Sequence, residues 1–225
     1  MPDMIARSPV RPVQPAVVDG WEVTARRAAA GLSLTDLTPL AKALVRAGAD
    51  GAMARALGVP YGRAARDQAG ALVIGSGPGE WLALAAVGQE RALRHRLAEL
   101  AAQATVPTVV QATAQATGQE LVTVLDLTHG LALMRLTGGP AAEVLAKVCA
   151  IDLADASTPD GAAFRSSVAR VVTDVVRDDH RSPSGPVPSY LLHCERSYGQ
   201  YLFGALLDAG AEFGVDIDGF RAPGI

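Results

Sequence analysis

Short apolar runs punctuated by glycine and proline organise this chain. Leu40–Ala47 (LAKALVRA) alternates as a half-buried strand does, and Gly48–Leu57 reads as a turn feeding an Ala-rich helix stopped by Gly58 and Pro60. Ala71–Ile74 is a short strand, Gly75–Gly79 a turn, and Trp81–Val87 a second strand or a helix start. Leu93, Leu97 and Leu100 share one face of a helix over Arg91–Gln103. Leu121–Leu127 and Leu131–Leu136 are strands, and Pro140 opens the helix AAEVLAKVC, where its missing N–H costs nothing. Val168–Val176 is a strand, Arg177–Pro188 a polar loop, Tyr190–Cys194 a strand and Tyr198–Phe213 an amphipathic helix. Trp21–Ala30 (WEVTARRAAA) is helix-prone, and Val106–Gly118, rich in Ala, Thr and Gln, is a linker with one strand, VPTVV. Pro2, Pro9, Pro12 and Pro15 make residues 1–19 an extended arm without regular structure. Residues 20–219 then form one domain and 220–225 an irregular tail.

A repeat lies inside that domain. Asp36-Leu37-Thr38 returns ninety positions later as Asp126-Leu127-Thr128, and the same register pairs Gly48 with Gly138, Ala52 with Ala142 and Ala56 with Ala146. Both copies run strand, Asp-Leu-Thr, strand, glycine turn, helix. The duplication places repeats at about residues 30–118 and 120–214 and predicts an α+β fold, helices on one face of an antiparallel sheet in each copy.

Composition narrows the classes of function. Hydrophobic residues make up 49% but aromatics only 4%, so Ala, Val and Leu must build the core. A net charge of -3 offers no cationic footprint for nucleic acid. There is no run of 18 apolar residues for a membrane and no 7–15-residue apolar core of a secretory signal, and two cysteines are too few for a disulfide framework. The expectation is a cytoplasmic protein bound neither to membrane nor to nucleic acid.

Three segments carry a family likeness. VLDLTHGLALMRLTGGPAAEVLAKVCAIDL (124–153), with Lys147, Cys149, Asp152 and Leu153 at its end, resembles the segment by which sarcosine oxidase gamma subunits are known. GPGEWLAL (77–84) and RSYGQYLFGALLDAGAEFG (196–214) are similar to two further stretches of that family, in the same order. The resemblance implies the folate-binding fold of the glycine-cleavage T protein, an aminomethyltransferase, built from two ferredoxin-like β-α-β repeats. It also implies partners: an alpha subunit with folate and dinucleotide sites, a flavin-bearing (FAD/FMN) beta subunit and a small zinc-binding delta subunit. The complex would oxidatively demethylate an amine, with tetrahydrofolate capturing the one-carbon unit. A stand-alone tetrahydrofolate-dependent transferase is the second reading.

Two positions depart from the aminomethyltransferases. Gly70 and Ala71 stand where those carry an essential Asp, with Asp67 the nearest carboxylate, and residues 177–188 hold no pterin-anchoring Glu. The folate-groove candidates are therefore Asp126, Thr128 and His129, their echoes Asp36 and Thr38, and Asp67. The Asp-Leu-Thr turns can expose a carboxylate and a hydroxyl to a groove, or close the backbone as Asx turns. Gly75-Ser76-Gly77-Pro78-Gly79 imitates a dinucleotide fingerprint, but Glu80 occupies the third glycine position and favours a tight β-turn. His95, His129, His180 and His193 lack metal-ligand spacing, and no base shares the face of Cys194 on its strand.

Overall fold

In the computed structural model, residues 4–104, 120–183 and 185–222 are described; the expected linker and VPTVV strand lie outside them. The chain opens with β1 (Ala6–Arg7), β2 (Pro15–Val18) and β3 (Trp21–Thr24), a small sheet ordered β1-β3-β2. This corrects two expectations, the unstructured arm and the helix at Trp21. Trp21 and Val23 alternate inward and are buried, a period-two demand that outweighs the helix preference of the alanines beyond them. Pro15 is tolerated as the first residue of an edge strand. Val10 is buried in the main core, so the arm packs on its own chain.

Next come β4 (Ser33–Asp36), β5 (Ala41–Arg46), α1 (Ala52–Leu57), β6 (Ala64–Arg66), β7 (Leu72–Gly77), β8 (Glu80–Ala85) and α2 (Glu90–Ala104). The second half holds β9 (Thr123–Asp126), β10 (Leu131–Thr137), α3 (Ala141–Ala146), β11 (Ala163–Val168), β12 (Val171–Arg177), β13 (His180–Ser182), β14 (Gly185–Val187), β15 (Ser189–Glu195), α4 (Gly199–Gly210) and β16 (Asp216–Asp218). The fold is α+β, with few helices and two large sheets, ordered β6-β7-β8-β5-β9 and β11-β12-β15-β10-β4-β16. Apart from β16, which runs parallel to β4, neighbouring strands in both sheets are antiparallel.

The strand order shows something the repeat alone does not. The first strand of each copy has crossed into the sheet of the other: β4 pairs with β10, and β9 pairs with β5. The Asp-Leu-Thr segments are the crossing points.

Three apolar layers follow from strand alternation. Leu72, Ile74, Leu82 and Leu84 of one sheet meet Leu133, Val176 and Leu191 of the other between the sheets. Ala41, Ala43, Val73, Trp81 and Ala83 face away, toward Met53 of α1 and Leu93 and Leu97 of α2. Ala132, Met134, Leu136, Tyr190 and Leu192 face α3 and α4, where Val144, Leu145, Leu202, Phe203 and Leu206 are buried. Each of those large side chains contributes about 1.5–3 kcal/mol of burial. On α4 it is Leu202, Phe203 and Leu206 that define the packed face, while Tyr201 is exposed.

Three further expectations change. Val168–Val176 is two strands, because Ala169 and Arg170 turn the chain with φ of 48° and 68°. Residues 177–188 contain the β13–β14 hairpin instead of a featureless loop. The Gly75–Gly79 stretch is mostly strand, with a bulge between Gly75 and Gly77 and a turn at Pro78-Gly79. A Cβ on Gly75 would lie 2.3 Å from the carbonyl oxygen of Pro60, so this glycine serves backbone packing.

Candidate functional site

The two Asp-Leu-Thr turns meet at the centre of the molecule. Asp36 Oδ1 accepts the Thr38 N–H at 3.0 Å and Asp126 Oδ1 accepts the Thr128 N–H at 2.9 Å, two Asx turns. Thr38 and Thr128 are fully buried, and each hydroxyl closes on the other copy's second strand. Thr38 Oγ1 accepts the Leu133 N–H at 3.2 Å, and Thr128 Oγ1 accepts the Lys42 N–H at 3.1 Å. Backbone bonds tie the same seam: Leu37 N–H to Leu133 O at 2.8 Å and Leu127 N–H to Lys42 O at 2.9 Å.

Lys42 is buried there, its Nζ donating to the carbonyls of Thr38 (2.7 Å) and Leu40 (2.8 Å). Burial lowers its pKa to about 7, with the nearby Asp36 opposing. Burial likewise raises the Asp36 carboxyl, against hydrogen bonds from Ser8 and Thr38. His129 is exposed and stacks on Trp21 with ring centroids 4.8 Å apart. Asp67 lies elsewhere: Oδ1 accepts the N–H groups of Ala69 and Ala71, and Oδ2 pairs with Arg96 at 2.7 Å.

A cavity of about 870 Å³ opens beside the seam, and none of the six candidates lines it. The hydroxyls of Thr38 and Thr128 are consumed by backbone groups, and Asp67 clamps a turn to α2. The cavity lies where β4, β6 and β10 converge with the end of β12, the start of the β13–β14 hairpin and residues 218–222. Arg135 reaches it because its register on β10 continues that of Leu133, which faces the inner layer, and Thr35 and Thr137 share the same environment.

Charge dominates the lining. Arg135 donates to Asp178 Oδ2 at 2.6 Å, to the Asp178 carbonyl at 3.1 Å and to Ser189 Oγ at 2.9 Å. Arg66, from the other sheet, meets the same carboxylate at 3.2 Å. Arg177, 8% exposed, holds Asp179 through two bonds of 3.1 Å and reaches Asp155 at 2.6 Å. Its pKa is pushed further up, chiefly by the Asp179 carboxylate, so this guanidinium is always charged. Asp160 accepts the Asp179 N–H, and Asp218 pairs with Arg221 at 3.1 Å. Every carboxylate lining the cavity thus already has a donor from the chain itself. Arg63 and Arg181 line it as well, exposed, and among the described residues neither side chain has an ion-pair partner.

Sequence reading passed over these arginines. One signal was present: Arg135 is the lone charge in the apolar strand LALMRLT. Arg63 and Arg66 carry no such signal, since they come from a short edge strand and the turn before it. Two other groups lie outside the cavity lining. His193 is buried with Nδ1 3.6 Å from Asp174, no partner at Nε2, and a pKa lowered by burial. Burial also raises the Cys194 thiol to about 11, which keeps it protonated and unreactive. Among the described residues there is no cluster of metal-ligating side chains and no helix long and apolar enough to cross a membrane.

No family profile matches the chain, and no curated protein is significantly similar in sequence. Solved structures are. A chain of the heterotetrameric sarcosine oxidase of Corynebacterium sp. U-96, in complex with pyrrole 2-carboxylate, matches with a TM-score of 0.62 and 25% identity, over 84% of this chain and 89% of that one. The glycine cleavage system aminomethyltransferase T of Bartonella henselae matches with a TM-score of 0.62 and 14% identity, over 92% of this chain and 55% of that one. This chain thus spans about half the length of the aminomethyltransferase. The protein is therefore similar in structure to a chain of heterotetrameric sarcosine oxidase and, in fold, to aminomethyltransferase T.

Proposed function

We propose that this protein is a gamma-type accessory subunit of a heteromeric, flavin-dependent sarcosine or N-methyl amine oxidase coupled to one-carbon capture by tetrahydrofolate. The observation that carries the reading is the nearly end-to-end match to a chain of a heterotetrameric sarcosine oxidase, 84% against 89% at 25% identity. In this reading each large sheet with its two helices is an elaborated ferredoxin-like repeat, residues 20–219 are the domain, and the subunit works in the cytoplasm. FAD or FMN belongs to the partner subunits, of alpha and beta type.

The cavity supports a role other than catalysis. Three of its four carboxylates are ion-paired within the chain, with Arg66, Arg135, Arg177 and Arg221, and the fourth, Asp160, accepts the Asp179 N–H. No chemical step is assigned to this chain. The cavity's volume, about 870 Å³, favours the second reading, a stand-alone tetrahydrofolate-dependent transferase, since it lies within the range of small-molecule sites.

Co-expression with the flavoprotein subunits of a sarcosine oxidase decides between them. A stable complex that oxidises sarcosine, together with no one-carbon transfer by the isolated chain, is the expected result. Folate-dependent transfer by the chain alone, with no complex formed, would replace the first reading with the second.

A further inference from the structure

We propose that Arg165, Asp174 and His193 form a proton-operated latch between the two large sheets. Protonation of His193 draws Asp174 away from Arg165 and so releases the Arg165–Glu80 ion pair that ties the sheets together. Strand register builds the cluster. Arg165 on β11, Asp174 on β12 and His193 on β15 lie opposite one another in turn, with Leu133 of β10 next in the row. Leu133 faces the layer between the sheets, so the row does too. In the other sheet Arg46 on β5 and Glu80 on β8 are cross-strand partners 3.0 Å apart. The ion pair of Arg165 with Glu80, at 3.3 Å, connects the two rows.

The arrangement suits a neutral His193. Arg165 holds both oxygens of Asp174, at 2.9 and 3.0 Å, and His193 Nδ1 stands 3.6 Å from Oδ2, too far for a good hydrogen bond. Its Nε2 is buried without a partner among the described residues. The charged groups acting on this imidazole are Asp174 from β12, Arg165 from β11, Lys42 from β5 and Glu80 from β8, while β10 presents Leu133.

A proton on His193 adds a cation beside Arg165 and Lys42, and that cation needs a carboxylate. Asp174 is the one within reach. The Asp174 and His193 side chains are 12% and 6% exposed, whereas Arg165 is 47% exposed and can return to water at little cost. Arg165 is therefore the member that yields, and its bond to Glu80 goes with it. Burial holds His193 below its ordinary pKa of 6.5, so the latch is closed at neutral pH. Below pH 6.5 the open form binds more protons than the closed one, and acid favours opening. The latch belongs to the fold and holds under either functional reading.

Hydrogen exchange of the full chain between pH 7.5 and 5.5, read by mass spectrometry, tests this. With the open-state imidazole at its ordinary pKa, protection of the β11 and β12 amides should fall about tenfold over that range. The same segments of His193→Gln should stay level, and because every other titrating group is common to both chains the difference isolates His193. Arg165→Gln gives a second readout. Without its competitor, Asp174 is left to His193, so the imidazole titration followed by NMR should move up by about one pH unit. The other three histidines are exposed, which sets the His193 signal apart, and a half-exposed Arg165 can be replaced without loss of the fold. Equal pH dependence of protection in wild type and His193→Gln overturns the proposal, as does a His193 titration that Arg165→Gln leaves unmoved.

Discussion

Lys42 shows what one residue carries here. It faces the layer between the sheets, with its ammonium on two carbonyls and Asp36 nearby. Removing one member of a buried charged set strands the others, so Lys42→Met should cost about 2–4 kcal/mol at pH 7 in urea unfolding. The pH dependence is specific. The folded value, about 7, lies below the ordinary 10.5, so between them the unfolded chain binds more protons and stability rises with pH. Below pH 7 this rise is absent and the burial cost is full. Wild-type protein should therefore gain about 1–2 kcal/mol from roughly pH 7 to 9 relative to Lys42→Met, and parallel profiles for the two would refute the assignment. Asp36 runs the other way. Its raised pKa makes its contribution fall as pH rises above 3.8, opposite in sign to the lysine effect. The burial of Lys42 was illegible in the sequence: alternation gave the strand, but a lysine in an alternating strand reads as solvent-facing.

Elements explain the misread boundaries. The run VARVVTDVV looks continuous because Ala169 and Arg170 are ordinary residues, yet both adopt the left-handed turn that hairpins need. Ala169→Asn/Arg170→Gly relieves that strain and should add about 1 kcal/mol, raising the melting temperature by about 2–4 °C. No rise would mean the turn is held by something other than local preference. The glycine run before Trp81 gives the opposite case. Gly75→Ala would drive a Cβ to 2.3 Å from Pro60 O and should cost about 2–3 kcal/mol, whereas a phosphate-binding loop would show a ligand defect without that loss. Helix α2 was placed to within a residue because Leu93, Leu97 and Leu100 mark its face; β13 and β14, three residues each, carry no pattern long enough to be seen.

At the scale of the molecule, strand exchange makes the two halves interdependent. The first-half sheet lacks its outer strand without β9, and the second-half sheet has a gap between β10 and β16 without β4. Chains cut between residues 104 and 120 should each show little strand signal alone and regain the full spectrum on mixing. Independent folding of either half would contradict the exchange. The same geometry builds the cavity, since Arg63 and Arg66 come from one sheet and Arg135, Arg177 and Arg181 from the other sheet and its hairpin.

The sequence by itself determined whatever local pattern encodes. It specified the α+β class, the strands around both Asp-Leu-Thr motifs, their ninety-residue echo and the main helices, because period and turn chemistry act within about a dozen residues. Asx-turn chemistry could be named from Asp36 and Asp126, but whether those turns face ligand or core could not. Only the tertiary structure decided that Thr38 and Thr128 bond across the seam, that β4 and β9 change sheets, and that arginines some seventy to a hundred and twenty residues apart surround one cavity. The physical reason is common to all three. Each depends on which distant strands pair, and pairing is set by the burial of two whole faces at once, a quantity no short window of residues contains.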